Sequence, residues 1–350
     1  MIAKTPSAEI ELISEEYIKS IPKAELHLHL EGSVTPAIFA ALSRKYDTDY
    51  AVLNEEKIQA QLFNYRDFYD FLNTYRIVCE HLREPLDYLM VFDWLESYFA
   101  EQNIRYAEII YTPSILWRAG RDGREVLVAL LKQSNKLDDQ GITIRWILDC
   151  VRQFGAEWAW RTAELAVEFS KQGVVAIGLG GDEKSLSMGE YQEVFAWIRD
   201  HQLHAHVHAG EISDAQQVWE ALQVLGASRI GHGIQAAWDP NLTDYLCQHA
   251  IGLDVCLTSN ARTGAWPTIS DNPFDLLHRK GIPVTLNTDD PGLFQVSLNE
   301  EFQKAAYLFG LDRQELHHLA LQGVLLSFLP HHKKMILMKE FNEEISRISL

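Results

Sequence analysis

The sequence of 350 residues predicts an α/β fold, a (β/α)8 barrel of the TIM type with extra helices inserted after the first strand. Three observations predict it. Short apolar runs recur along the chain, each followed by a longer segment of helical periodicity. No Gly/Ser/Pro-rich linker, internal repeat or low-complexity stretch divides the chain, and barrels of this class reach such lengths as one domain, so residues 1–350 read as a single domain. Hydrophobic residues make up 47% of the sequence, enough for a large core.

The apolar runs are Ala24–Leu30, Ile104–Tyr111, Ile142–Asp149, Val174–Leu179, Leu203–His208, Arg229–His232, Ile251–Cys256 and Val284–Asn287. Most are rich in Val, Ile and Leu and short, as parallel strands buried on both faces are. Segments such as Ala156–Lys171 and Asp214–Leu225 supply the intervening helices. Eight such units point to a closed barrel, although an open doubly wound sheet gives a similar pattern. About 73 residues separate Leu30 from Ile104, far more than one crossover helix requires. Residues 34–103 therefore form a helical insertion. Phe63, Tyr65, Phe68, Tyr69, Phe71, Leu72 and Tyr75 cluster inside it at helical spacing. Packing explains such a cluster; an apolar lid over the C-terminal mouth of the barrel is the functional reading.

Composition excludes several classes of partner. The formal charge of −18 repels phosphate backbones, which argues against nucleic acid. No uninterrupted apolar run reaches the ~20 residues that span a bilayer, and the first twenty residues lack the apolar core of a signal peptide. The four cysteines form no C-x-x-C pair, so a cysteine zinc site has no support and free thiols in the cytoplasm are expected.

Candidate chemistry sits at four strand ends. His27 and His29 alternate on the first strand and face one side, so both imidazoles can reach one ion. The motif is weak alone, because 14 histidines in 350 residues give about half of one such pair by chance. His204, His206 and His208 alternate on the fifth strand. His208 is nearest the mouth, where barrel chemistry sits; His204 and His206 read as polar packing or as lying deeper. Glu211 follows in a loop, where a solvated carboxylate is the ordinary expectation. His232 lies between two glycines at the sixth strand's end, leaving room beside the imidazole. Asp289 and Asp290 follow the eighth strand, where acidic helix caps are also common. A barrel gathers these four strand ends around one mouth, and imidazoles plus one carboxylate suit Zn²⁺.

The segments PKAELHLHLEGS at 22–33, VVAIGLGGDE at 174–183, HVHAGE at 206–211, RIGHGI at 229–234, CLTSNARTGAW at 256–266 and VTLNTDDPGLF at 284–294 resemble the adenosine deaminase family of the amidohydrolase superfamily. The resemblance runs from Pro22 to about Phe302. It implies hydrolytic deamination of adenosine, or of a related 6-aminopurine nucleoside, with adenine or a modified adenine compound as the alternative. It implies one Zn²⁺ per chain, held by His27, His29, His208 and Asp289. Glu211 would protonate N1 of the purine, His232 would orient and activate the attacking water, Asp290 would hydrogen-bond N7, and the Gly181 N–H would meet N3. The partner implied is a small molecule bound near His29, Glu31, Gly181 and Asp290. Glu31 stands where typical adenosine deaminases carry an aspartate for the ribose 5′-hydroxyl, and relatives acting on adenine compounds often have glutamate there. TSNARTGAW, by contrast, is closer to the adenosine-type pattern. Glu31 is expected to overhang the mouth and to bind ribose. Two other classes compete: a metal-dependent esterase or amidase, against which the acid after HAG argues, and a binding protein with a vestigial site, which would lack a ligand or the acid.

Overall fold

The structure, a computed structural model, describes residues 13–138 and 140–348. The expectation about the first twenty residues therefore falls partly on residues outside the described ones. Among the described residues no helix is long and apolar enough to cross a membrane.

Eight parallel strands form one sheet in the order of the chain: β1 Lys23–His29, β2 Ile104–Tyr111, β3 Thr143–Val151, β4 Val174–Gly180, β5 His204–Ala209, β6 Arg229–His232, β7 Gly252–Val255 and β8 Val284–Leu286. Consecutive order of parallel strands, each joined by helical crossovers, is the topology of a (β/α)8 barrel. The strands lie within a residue or two of the apolar runs, because burial on both faces writes them as continuous apolar segments.

Closure between β8 and β1 uses few ordinary ladder bonds. The Asn287 side chain leaves β8 and its Oδ1 accepts from the backbone N–H of Leu26 at 2.8 Å and His27 at 3.2 Å. Above it, the His29 N–H donates to the Asp289 carbonyl at 2.8 Å and the Asp289 N–H to the His27 carbonyl at 3.1 Å. The seam that closes the barrel is thus also the place where His27, His29 and Asp289 are held in register.

Helix α1 (Glu15–Ser20) precedes β1, and the insertion after β1 carries α2 (Pro36–Lys45), α3 (Glu55–Gln61), α4 (Phe68–His81) and α5 (Pro85–Glu101). Each start is encoded locally. Thr35 caps α2 by accepting from the Ile38 N–H, with Pro36 in the first turn; Asp67 caps α4 through the Asp70 N–H; Glu84 and Asp87 form a reciprocal box at α5. The aromatic cluster divides between the two roles expected of it. Phe63 is buried in the core, whereas Phe68, Phe71, Leu72 and Tyr75 of α4 wall a cavity over the barrel mouth and Tyr69 faces solvent.

The barrel floor beneath the mouth is polar and linked by pairs across strands. Arg229 of β6 donates to Asp254 of β7 and to Glu108 of β2, both at 2.6 Å. His206 meets Asp254 at 3.0 Å, and His204, at the outer start of β5, stacks on Phe328. Both histidines stand apart from the cavity, in the packing roles their positions suggested.

Candidate active site

His27, His29, His208 and Asp289 converge with their donor atoms all within 4.8 Å of one another. Asp289 Oδ1 lies 3.1 Å from His27 Nε2 and 3.4 Å from His29 Nε2, and the Nε2 atoms of His29 and His208 are 3.3 Å apart. Burial lowers the pKa of all three imidazoles, so they are neutral and able to donate lone pairs. Three neutral imidazole nitrogens pointed at one carboxylate oxygen suit a divalent ion better than they suit one another. The donor set therefore fits a metal.

Backbone geometry around these groups is constrained. His232 and Asp289 are held at φ 61° and 67°, left-handed values that cost free energy in a residue with a Cβ and persist only where surrounding contacts enforce them. Gly231 gives room, but to the ligands: a Cβ there would lie 2.8 Å from His27 Cε1 and 3.3 Å from His208 Cγ. Gly32 admits Asp290, whose Oδ1 would be 1.6 Å from a Cβ at that position.

Two carboxyl groups flank the cluster without belonging to it. Glu211 is 4% exposed, which overturns the expectation of a solvated loop carboxylate. Burial, then the charges of Asp289 and Glu183, raises its pKa well above the ordinary carboxyl value. Asp290 is raised likewise by burial, then by Asp289, Glu211 and Glu31. Burial thus favours the protonated form of both groups. His232 Nε2 lies 3.7 Å from Glu211 Oε2 and 3.8 Å from Asp289 Oδ2. Its Nδ1 is 3.1 Å from the Asn260 side-chain amide, whose oxygen accepts in turn from Asn272 at 3.3 Å. That chain of amides assigns the Nε2–H tautomer to the neutral ring, with its proton directed at the site.

Several positioning residues carry no sequence signal of their own. Ser259 donates to Asp289 Oδ2 at 2.6 Å. Arg152 donates to the His208 carbonyl at 2.8 Å and to the Glu183 carbonyl at 3.0 Å. Glu183 accepts the N–H groups of Glu211, Ile212 and Ser213 at 3.1, 3.0 and 2.9 Å and the Ser213 hydroxyl at 2.5 Å. It lies within the quoted VVAIGLGGDE segment, but its partners are some thirty positions away and nothing local announces them.

A cavity of about 580 Å³ opens above the cluster. His29, His208, Glu211, His232, Asp289 and Asp290 line its inner end, and Asp149, Gln153 and Gly181 line one side. Glu31 is placed differently from its expectation. It follows His29 in a 3-10 turn, is fully buried, and its Oε1 accepts the Thr112 N–H at 3.0 Å; it is absent from the cavity wall. Leu30 turns helical directly after β1, which carries the Glu31 side chain toward β2 instead of over the mouth.

Comparison with known proteins agrees with this geometry. The chain is 37% identical over 316 residues to an aminodeoxyfutalosine deaminase of Streptomyces coelicolor, covering 89% of this chain and 81% of that protein. It is 30% identical over 319 residues to an adenine deaminase of Rhizobium leguminosarum bv. trifolii, covering 91% and 98%. Its fold matches the crystal structure of an adenine deaminase from Arthrobacter aurescens with a TM-score of 0.87 at 24% identity, over 93% of this chain and 99% of that one. Residues 22–344 match the family model described as adenosine deaminase, and the chain belongs to the adenosine deaminase family of hydrolytic aminohydrolases.

Proposed function

We propose that this protein hydrolytically deaminates adenosine or a related 6-aminopurine nucleoside, releasing ammonia and leaving the 6-oxo purine (inosine from adenosine). The observation that carries the reading is the pair of buried carboxyls with raised pKa, Glu211 and Asp290, that line one cavity with a His₃Asp cluster. His27, His29, His208 and Asp289 would hold one Zn²⁺, which when bound supplies hydroxide near neutral pH by lowering the pKa of water.

The chain's own groups provide the rest. C6 of adenine resists attack because addition breaks the ring's aromaticity. Glu211 gives its proton to N1 as oxygen adds at C6, so the electron pair of the N1–C6 double bond has a place to go. His232, fixed by Asn260, directs its Nε2–H at the oxygen that adds and stabilises the charge developing there. Asp290, whose protonated form burial favours, donates to the N7 lone pair, and the Gly181 N–H meets N3. The C6–N bond then breaks as the proton of the added hydroxyl passes to the amine nitrogen, so that ammonia leaves and the C6 carbonyl forms.

A second reading has its own support. Two of the curated relatives are aminodeoxyfutalosine deaminases, and the lining of the cavity of about 580 Å³ also includes Ile115, Arg118, Phe154 and residues of α4. That room favours a 6-aminopurine with a substituent beyond ribose, such as aminodeoxyfutalosine, over free adenine. Ammonia release measured side by side from adenosine, 2′-deoxyadenosine, adenine, AMP and aminodeoxyfutalosine tests both readings. A protein that binds zinc and releases ammonia from none of them refutes the deaminase assignment. Higher kcat/KM on adenine than on every nucleoside replaces the first reading by the adenine one.

A further inference from the structure

Four carboxyl groups lie on the inner wall of the cavity: Asp149, Glu211, Asp289 and Asp290. The chemistry above employs three of them and leaves Asp149 without a task. Asp149 projects from β3, is 3% exposed, and its Oδ1 has no hydrogen-bond partner. The backbone N–H groups of Cys150 and Gly180 lie close enough to the carboxyl to favour its charged form, against the opposing effect of burial. A buried polar atom left without a partner costs folding free energy, so its presence on a cavity wall points to a partner that arrives with the ligand.

The neighbouring strand is built around this carboxyl. A Cβ at Gly178 would lie 2.3 Å from Asp149 Oδ1, and one at Gly180 would lie 2.9 Å from Oδ2. Two glycines near the end of β4 thus cradle the group, and Gly181, the next residue, lines the cavity with φ 91°. If the Gly181 N–H meets N3, the sugar lies on this side of the site, because N3 and the sugar-bearing N9 are both bonded to C4. Glu31, the sequence candidate for sugar binding, engages the Thr112 N–H through Oε1 and stands outside the cavity lining.

We propose that Asp149 is the specificity-determining carboxyl of this site, accepting a hydrogen bond from a sugar hydroxyl of a 6-aminopurine nucleoside and so selecting nucleosides over the free base. This rests on the deaminase reading for the identity of the ligand. It adds a residue and a role that the family motifs in this sequence do not assign.

The test compares wild type with Asp149→Ala on adenosine, 2′-deoxyadenosine, 5′-deoxyadenosine and adenine, and measures inosine and hypoxanthine binding by tryptophan fluorescence. Removing the hydrogen-bond partner of a sugar hydroxyl lowers kcat/KM on adenosine by roughly 10- to 100-fold. Adenine turnover and metal content stay within about threefold of wild type. One of the two deoxy analogues shows little further loss in the variant, since the hydroxyl that Asp149 reads is already missing, and the two changes are then non-additive. Inosine binding weakens while hypoxanthine binding holds. Equal losses on all four substrates, or none on any, overturn the proposal. Asp149→Asn, which keeps the side chain's shape, serves if the alanine variant does not fold, with the same contrast between nucleoside and base expected. A wild type that releases no ammonia from any substrate refutes the deaminase reading instead, and the inosine and hypoxanthine titrations still decide the role of Asp149.

Discussion

Replacing Glu183 by alanine removes one carboxylate that accepts four hydrogen bonds from the loop bearing Glu211. The cost can be worked bond by bond. The Glu211 N–H sits in a buried residue, and leaving it unpaired costs about 1–3 kcal/mol. Ile212 and Ser213 are only half-buried, so water replaces the carboxylate at their donors and each loses nearer ~1 kcal/mol. The total is about 3–5 kcal/mol, which for a chain of this length lowers Tm by roughly 5 °C. The catalytic effect is separate. Glu211 has no other tether of comparable strength, and a shift of its carboxyl by ~1 Å from N1 costs about 10²-fold in kcat. Glu183→Gln refines the argument. Its single carbonyl can serve the three donors now on Oε2, which turns the amide nitrogen toward the Glu211 N–H, donor against donor. That variant should keep most of the stability and still lose much of the kcat. The assays are thermal unfolding, metal content and steady-state ammonia release on one preparation. Glu183→Ala with wild-type kcat, whatever its Tm, refutes the claim that Glu183 positions the acid.

Other expectations follow from the same geometry. His208→Ala removes one imidazole of the cluster and should reduce metal content and activity together; a variant that retains full metal by elemental analysis shows the ligand set to be wrong. Glu211→Gln keeps the shape of the acid without its transferable proton, so metal content stays near wild type and kcat falls at least ~10²-fold. Because Glu211 is raised above its ordinary value of 4.5, its proton is present below the raised pKa and lost only as pH climbs through it, and a wild-type kcat that already declines just above pH 4.5 contradicts its role as the acid. Gly32→Ala should abolish turnover at a stability cost of roughly 1–3 kcal/mol, since its Cβ would lie 1.6 Å from Asp290 Oδ1 and 2.7 Å from the Asp290 Cβ; normal turnover in that variant would mean Asp290 is dispensable.

The sequence alone carried the strands of the barrel, which are written at fixed short spacing, and the resemblance named the residues of the candidate metal cluster. Parallel strands buried on both faces must be continuous apolar runs, and the eight observed strands fall on those runs. A parallel barrel places every strand's C-terminal end at one mouth, so histidines and an aspartate at the ends of β1, β5 and β8 had to meet once closure was assumed. What the sequence could not decide was which way a side chain turns after its strand ends, and how far it is buried. Glu31 was expected over the mouth because it follows His29 by two residues, yet the helical turn at Leu30 sends its carboxyl to the Thr112 N–H. Glu211 was named as the acid by resemblance while its loop position alone suggested exposure to water, and only the packing shows that it is buried with its pKa raised. Asp149 looked like one more strand residue, since its significance depends on two glycines of the next strand and on a cavity wall formed partly by α4. Local periodicity fixes where the chain runs; tertiary packing decides which polar atoms lose water and find no partner, and these are the atoms left to meet a ligand.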